Sequence, residues 1–160
     1  MRGDGDGWVF DPDGVRHWGV HGAAGLLLRA PLADGAIGVL LQHRAWWSHQ
    51  GGTWALPGGA RDSHESAIDT AVREADEEAG IGGAELRVVA AMVTHQSASG
   101  WTYTTVIAEV DEPVRTVANG ESTELRWVRE DEVDALPLHP AFEQSWPLLR
   151  ERIDSLDPRS

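Results

Sequence analysis

Two residue types are missing altogether. Without cysteine, this chain of 160 residues can form no disulfide framework, thiolate metal centre or cysteine nucleophile, so its chemistry must rest on oxygen and nitrogen groups. Lysine is absent too: all 13 basic residues are arginine, and against 26 acids they leave a net charge of −13. That balance opposes binding to a polyanion, so no nucleic-acid polymer is expected as a partner. A small anionic substrate is compatible with it only if cations on the protein screen the acids locally. Long apolar runs are also lacking. The longest, around "AAGLLL", is far too short to span a bilayer, and "MRGDGDGW" has no signal-peptide core. The expectation is a cytoplasmic protein with no membrane partner.

What is present belongs to a globular chain. The apolar fraction is 41%, the charged fraction 24%, and eight tryptophans argue against disorder. The length suits one domain that buries roughly two-thirds of its unfolded surface. Residues 1–20, rich in Gly and Asp with a turn at "DPDG", read as an extension ahead of the core, and 156–160 as a tail. "DGDG" hints at a calcium loop, yet no acid stands near Val15 where the spacing requires one. "GAAGLLLRA" and "AIGVLLQHR" read as two central strands joined by a hairpin connection, "PLADG". A loop-rich stretch, "WWSHQGGTWALPGGARDS", leads into a helix. "ELRVVAAMVTHQ", "WTYTTVIAEV" and "TELRWV" then suit strands. Pro140 followed by Phe142, Trp146 and Leu149 predicts a closing amphipathic helix.

The central helix carries the chemistry. Asp62 and Glu65 have capping-box spacing and Gly80 is a left-handed stop, so the helix is expected from about Ser63 to Ala79. Ile68, Ala71, Val72, Ala75 and Ala79 fall on one arc, expected to face the core. Glu74, Glu77 and Glu78 share another arc, related as i, i+3 and i+4, while Asp76 points elsewhere. Three carboxylates on one patch near a helix C-terminus repel one another and oppose the helix dipole. A solvated acidic face is one reading of that patch. Ligation of a hard divalent cation such as Mg²⁺, which takes oxygen donors, is the other.

Gly59, five residues, Glu65, seven residues and then "READEEAGI" resembles the Nudix box with every fixed position present: Gly59, Glu65, Arg73, Glu74, Glu77, Glu78 and Gly80. The wider resemblance covers roughly residues 21–155 as the Nudix domain, with "LLQHR" before the box and "ESTELRWV" after it. It implies an α/β fold, an α/β/α sandwich with a mixed β-sheet, and hydrolysis of nucleoside diphosphates linked to another moiety. By the same resemblance, Glu74, Glu77 and Glu78 bind Mg²⁺ or Mn²⁺, the Gly58 carbonyl is a further ligand, Arg73 orients the glutamates and Glu65 is structural. Glu121 is the first choice for an additional metal ligand or general base, because it sits six residues before Trp127 as in MutT-type members. Glu124 is the competitor.

Arg44 resembles the family arginine on substrate phosphate, against a plain surface arginine. His139 and Phe142 lie where MutT-like proteins contact the base, against a capping histidine and a core phenylalanine. Trp46, Trp47 and Trp54 either stack on a base or pack, with packing favoured. Histidines four apart, His17 and His21, lie in no evident helix, which argues against zinc. Among Nudix groups the chain looks most like MutT-type sanitisers of oxidised guanine nucleotides such as 8-oxo-dGTP. Hydrolysis of ADP-ribose or dinucleoside polyphosphates and a non-catalytic nucleotide sensor are the alternatives. An isoprenoid isomerase of related architecture would need a cysteine.

Overall fold

The structure, a computed structural model, describes residues 3–44, 51–81, 86–117 and 122–156. In chain order its elements are β1 (Trp8–Phe10), β2 (Arg16–Trp18), β3 (Ala23–Pro31), β4 (Ile37–Arg44), β5 (Trp54–Ala55), β6 (Gly58–Ala60), α1 (Ala67–Ala79), β7 (Arg87–Gln96), β8 (Thr102–Glu109), β9 (Ser122–Arg129), a 3₁₀ turn (Glu130–Ala135) and α2 (Pro140–Leu156). The main sheet has seven strands, ordered β5-β4-β3-β8-β7, with β6 beside β3 and β9 beside β4. It is mixed: β3 runs parallel to β8 and antiparallel to β4 and β6.

The two apolar runs become central strands because both of their faces are covered, the situation in which strands lose polar alternation. Leu26, Leu28, Leu40, Val106 and Ala108 pack toward Ala71, Ala75 and Ala79 of α1. The alternate residues Leu27, Val39, Leu41, Ile107 and Val128 pack against Phe142, Trp146, Leu149 and Ile153 of α2. The outcome is the expected α/β/α sandwich. Arg29, buried on β3, ties the layers at one end, donating to Glu109 (2.7 Å) and to Glu130 (2.6 Å).

β3 is shared lengthwise, and this positions the site. Its C-terminal residues Arg29–Pro31 pair with β4, whereas Ala23–Gly25 pair with Ala60–Gly58 of β6. The short β6 is thereby held over α1.

Two details of α1 differ from expectation. It begins at Ala67, four residues later than Ser63, because Ser66 caps it: the Ser66 hydroxyl accepts from the Asp69 N–H (3.0 Å) and the Asp69 carboxylate accepts from the Ser66 N–H (3.2 Å). Asp62 and Glu65 make half of the anticipated exchange, Asp62 N–H to Glu65 Oε1 (3.1 Å), but the Asp62 carboxylate accepts from Gly5 N–H instead. The buried face is also rotated. Ile68 is exposed and Val72 half-buried, while Thr70 and Glu78 are buried beside the three alanines. The helix ends as expected at Gly80, in the left-handed region (φ 67°), whose N–H donates to Asp76 O.

Residues 8–18 form a small separate hairpin, β1–β2. Asp11 fastens it to the β7–β8 turn, accepting from His17 Nε2 (3.0 Å) and Ser99 N–H (3.2 Å), and the His17 ring stacks on Trp101 at 4.5 Å. His17 thus lies on a strand. Among the described residues, no helix is long and apolar enough to cross a membrane.

Candidate active site

Glutamates from the last turns of α1 meet β6 at the sheet's shared strand. Glu78 is buried, 7% exposed, and its carboxylate accepts from the Gly58 N–H (2.8 Å). Glu74 lies against Gly59: a Cβ there would stand 2.5 Å from the Glu74 carboxyl carbon, so any larger residue would displace that carboxylate. Glu77, one turn from Glu74, has a half-exposed side chain.

A single guanidinium organises the group. Arg73 grips Glu65 with two donors (2.6 and 2.8 Å), reaches the Ala60 carbonyl (3.2 Å), and uses Nη1 toward both Glu74 (2.9 Å) and Glu77 (3.4 Å). Its planar fork permits such simultaneous bonds where an ammonium could not. The Arg73 guanidinium, mainly through its hydrogen bond, draws the Glu65 carboxyl down to about 2. Glu74 moves the opposite way: burial raises its pKa, outweighing Arg73, with Glu77 and Asp6 adding to the rise.

Across the sheet, Tyr103 on β8 brings its hydroxyl to the same place. A Cβ on Gly58 would lie 3.0 Å from the phenol oxygen, and one on Gly25 still closer. Desolvation of that end, though the residue as a whole is half-buried, pushes its pKa upward; Glu78 and Glu74 raise it further and Arg44 opposes them. Glu74, Glu78, Tyr103 and Arg44 therefore share one electrostatic environment.

The NUDIX domain family matches residues 20–151. The chain belongs to the Nudix hydrolase family. It is 61% identical, over 94% of its own length and 71% of the relative's, to a Mycobacterium tuberculosis protein provisionally named 8-oxo-dGTP diphosphatase 3. A crystal structure of a Nudix hydrolase from M. smegmatis, RenU, superposes with a TM-score of 0.92 at 60% identity, covering 96% of this chain and 98% of that one. A C. elegans Ap4A hydrolase shares the fold alone, with a TM-score of 0.67 at 19% identity over 83% of this chain and 98% of that one.

The Nudix box residues thus lie on the strand β6, in the loop at Glu65, and on α1 from Arg73 to its end at Gly80. Their donor set fits a hard divalent cation: carboxylate oxygens in excess over the one guanidinium, no thiolate, and a half-buried Glu74 whose ionised form burial disfavours and positive charge would favour. Among the described residues, one group of three potential ligands has its atoms within 4.8 Å of one another, and it is Asp62, His64 and Glu65 rather than Glu74, Glu77 and Glu78. That group is already engaged. Glu65 belongs to Arg73 and Asp62 to the Gly5 N–H. Arg73 meanwhile draws Glu74 and Glu77 to itself, and Glu78 turns to Gly58.

Of the other sequence candidates, Arg44 ends β4, half-buried, on the side of Tyr103 and Glu78. His139 caps α2: its Nδ1 accepts from the Ala141 N–H (3.2 Å) and its own N–H donates to Trp54 O (2.8 Å). Phe142 is a core residue, and Trp54 is packed, with the Arg126 guanidinium 4.7 Å from its ring centre. Glu124 is a strand residue paired with Arg126 (3.0 Å). Glu121, Trp46 and Trp47 lie outside the described residues. Tyr103 is a neighbour of these glutamates that sequence reasoning missed, and the sequence marks Asp62 and Ser63 only as a helix start. Their proximity arises from pairing across the sheet and from the N-terminal segment, which leave no periodic signal.

The depressed Glu65 pKa carries a pH signature. A carboxyl whose pKa falls on folding contributes stability above its unfolded value of about 4.5 and loses that contribution as pH drops through about 2. The difference in unfolding free energy between the parent and Glu65→Gln is therefore expected to narrow across that window, as followed by urea denaturation at stepped pH.

Proposed function

We propose that this Nudix hydrolase is a divalent-cation-dependent pyrophosphohydrolase of the cytoplasmic nucleotide pool, cleaving 8-oxo-dGTP or a closely related nucleoside triphosphate to the monophosphate and pyrophosphate. The observation that carries the reading is that Glu74 and Glu78 meet β6 while one arginine joins Glu74 to Glu77. The name of the M. tuberculosis relative, at 61% identity, supports the substrate class. Glu74, Glu77, Glu78 and the Gly58 carbonyl, with Glu121, would hold Mg²⁺ or Mn²⁺. A cation there supplies positive charge against the phosphates and acidifies water.

The remaining roles fall to the chain itself. Arg73 holds the Glu74 and Glu77 carboxylates in place. Arg44 takes a phosphate oxygen, for which a guanidinium is well shaped. His139, already held by its cap, borders the base. Glu121 accepts a proton from the attacking water; that water forms the new bond to phosphorus, and pyrophosphate departs as the P–O bond breaks. Glu121→Gln is expected to lower kcat by about a hundredfold or more with a smaller change in nucleotide binding. Unchanged turnover would transfer the role to Glu124 or a box glutamate.

The reading is tested by phosphate release from 8-oxo-dGTP, dGTP, ADP-ribose and a dinucleoside tetraphosphate with Mg²⁺, with and without added pyrophosphatase. Phosphate from 8-oxo-dGTP that appears only with pyrophosphatase is the expected result. Preference for ADP-ribose or the dinucleotide would reassign the substrate, and binding without turnover would make the chain a sensor.

A further inference from the structure

Residues near the N-terminal end of the chain, Asp4 and Gly5, reach the loop that leads into α1. The Asp4 carboxylate accepts from the Ser63 N–H (2.8 Å) and from the Ser63 hydroxyl. Gly5, buried, donates its N–H to Asp62 Oδ1 (3.0 Å) and accepts through its carbonyl from Val20 N–H (2.8 Å). A Cβ on Gly5 would stand 1.9 Å from the Arg61 carbonyl oxygen, so the two backbones touch as only glycine allows. Asp62 is itself buried, its N–H bonded to Glu65, and its carboxylate lies 3.8 Å from Arg73. The bonds therefore run without a break from Asp4 and Gly5 through Asp62 and Ser63 to Glu65, then through Arg73 to Glu74 and Glu77.

We infer that Asp4 and Gly5 are positioning residues of the active site, a strap that fixes the loop at Arg61–Ser63 and through it the Glu65–Arg73 clamp on the box glutamates. The inference rests on reading those glutamates as the metal site. The loop has ties of its own, Arg61 N–H to Gly22 O (2.9 Å) and the Arg61 guanidinium to Glu65 O (2.6 Å), and the strap adds partners for the Asp62 carboxylate and for the Ser63 N–H and hydroxyl. The strap also sets Asp6 where its charge is felt by Glu74. Partners of metal ligands commonly influence affinity and turnover, and these stand one step farther out.

The test compares the parent with Asp4→Ala, Asp4→Asn and Gly5→Val in the full chain. Mn²⁺ binding is read by water-proton relaxation, kcat and KM on the best nucleotide of the panel, and Tm alongside. Asp4→Ala is expected to weaken Mn²⁺ binding and lower kcat by roughly three- to tenfold, with KM nearly unchanged. Asp4→Asn, which keeps one acceptor oxygen, should recover part of both. Gly5→Val, which displaces the strap sterically, should act in the same direction as Asp4→Ala.

A lower Tm in Asp4→Ala with Mn²⁺ affinity and kcat held at parental values would overturn the inference, as would no change in any readout. Should Asp4→Ala fail to fold, the same comparison is decided by Asp4→Asn. A parent that binds Mn²⁺ yet hydrolyses no nucleotide overturns the functional reading while leaving the Mn²⁺ comparison to judge the strap. A parent that binds no Mn²⁺ overturns both.

Discussion

Glu78→Gln is expected to fold as well as the parent, or slightly better, while losing on the order of a hundredfold or more of its turnover. The side chain is buried and accepts from the Gly58 N–H, which an amide oxygen of the same shape can still bond. What disappears is a negative charge one turn from Glu74, at a helix end where it opposes the dipole. Like charges at this spacing repel by a few tenths of a kcal/mol, so their removal does not weaken the helix. Turnover suffers because the carboxylate belongs to the proposed cation site. The separation of the two effects is the diagnostic. Thermal unfolding and initial rates over a Mg²⁺ titration check it, and full activity at limiting Mg²⁺ would remove Glu78 from the metal centre.

Arg73→Ala should lose both properties. Its guanidinium is the shared partner of Glu65, Glu74 and Glu77, and the first two have side chains only 9% and 17% exposed. Removing it leaves carboxylates in a low-dielectric site without their cation, with the Asp62 N–H and the Thr70 hydroxyl still donating to Glu65. Breaking a fully buried pair costs roughly 3–5 kcal/mol, and the partial exposure of Arg73 reduces that to about 2 kcal/mol here. Turnover is expected to fall by about tenfold to a hundredfold, because Glu74 and Glu77 lose their common anchor. Arg73→Lys should recover stability more than turnover, since an ammonium restores charge without the fork that joins Glu65 to Glu74. Equal recovery of both would show that charge alone, and not geometry, is what Arg73 supplies.

Much of this was readable from the chain because the relevant signals are local. The continuous runs of β3 and β4 announce strands covered on both faces. Pro140, Phe142, Trp146 and Leu149 mark a helix start and its buried stripe, and all three apolar positions are buried. The box glutamates are separable from Asp76 by helical periodicity alone. The failures are equally specific. Two capping boxes compete within residues 62–69, and the one at Ser66 prevails because Asp62 is drawn to Gly5, 57 residues away. Periodicity put Ile68 in the core and overlooked Thr70 and Glu78, since a count of apolar residues cannot see that Glu78 turns inward to a backbone N–H. Tyr103 reaches the site through the register of β3 with β8, where Ala23 faces Tyr103 and Gly25 faces Thr105. No motif within either strand encodes that match.

The parallel pairing of β3 with β8 also sets when the site can be completed. The partners run from Ala23 opposite Tyr103 to Arg29 opposite Glu109, and the Arg29–Glu109 bond closes a separation of 80 residues. Closing so long a segment loses chain entropy before contacts return it, which slows folding relative to local hairpins. During synthesis α1 emerges well ahead of β8, so its alanine stripe waits for Val106 and Ala108. The box helix is made early and seated late, and a chain stopped before Thr102 should carry the whole Nudix box without the β8 strand that completes its packing.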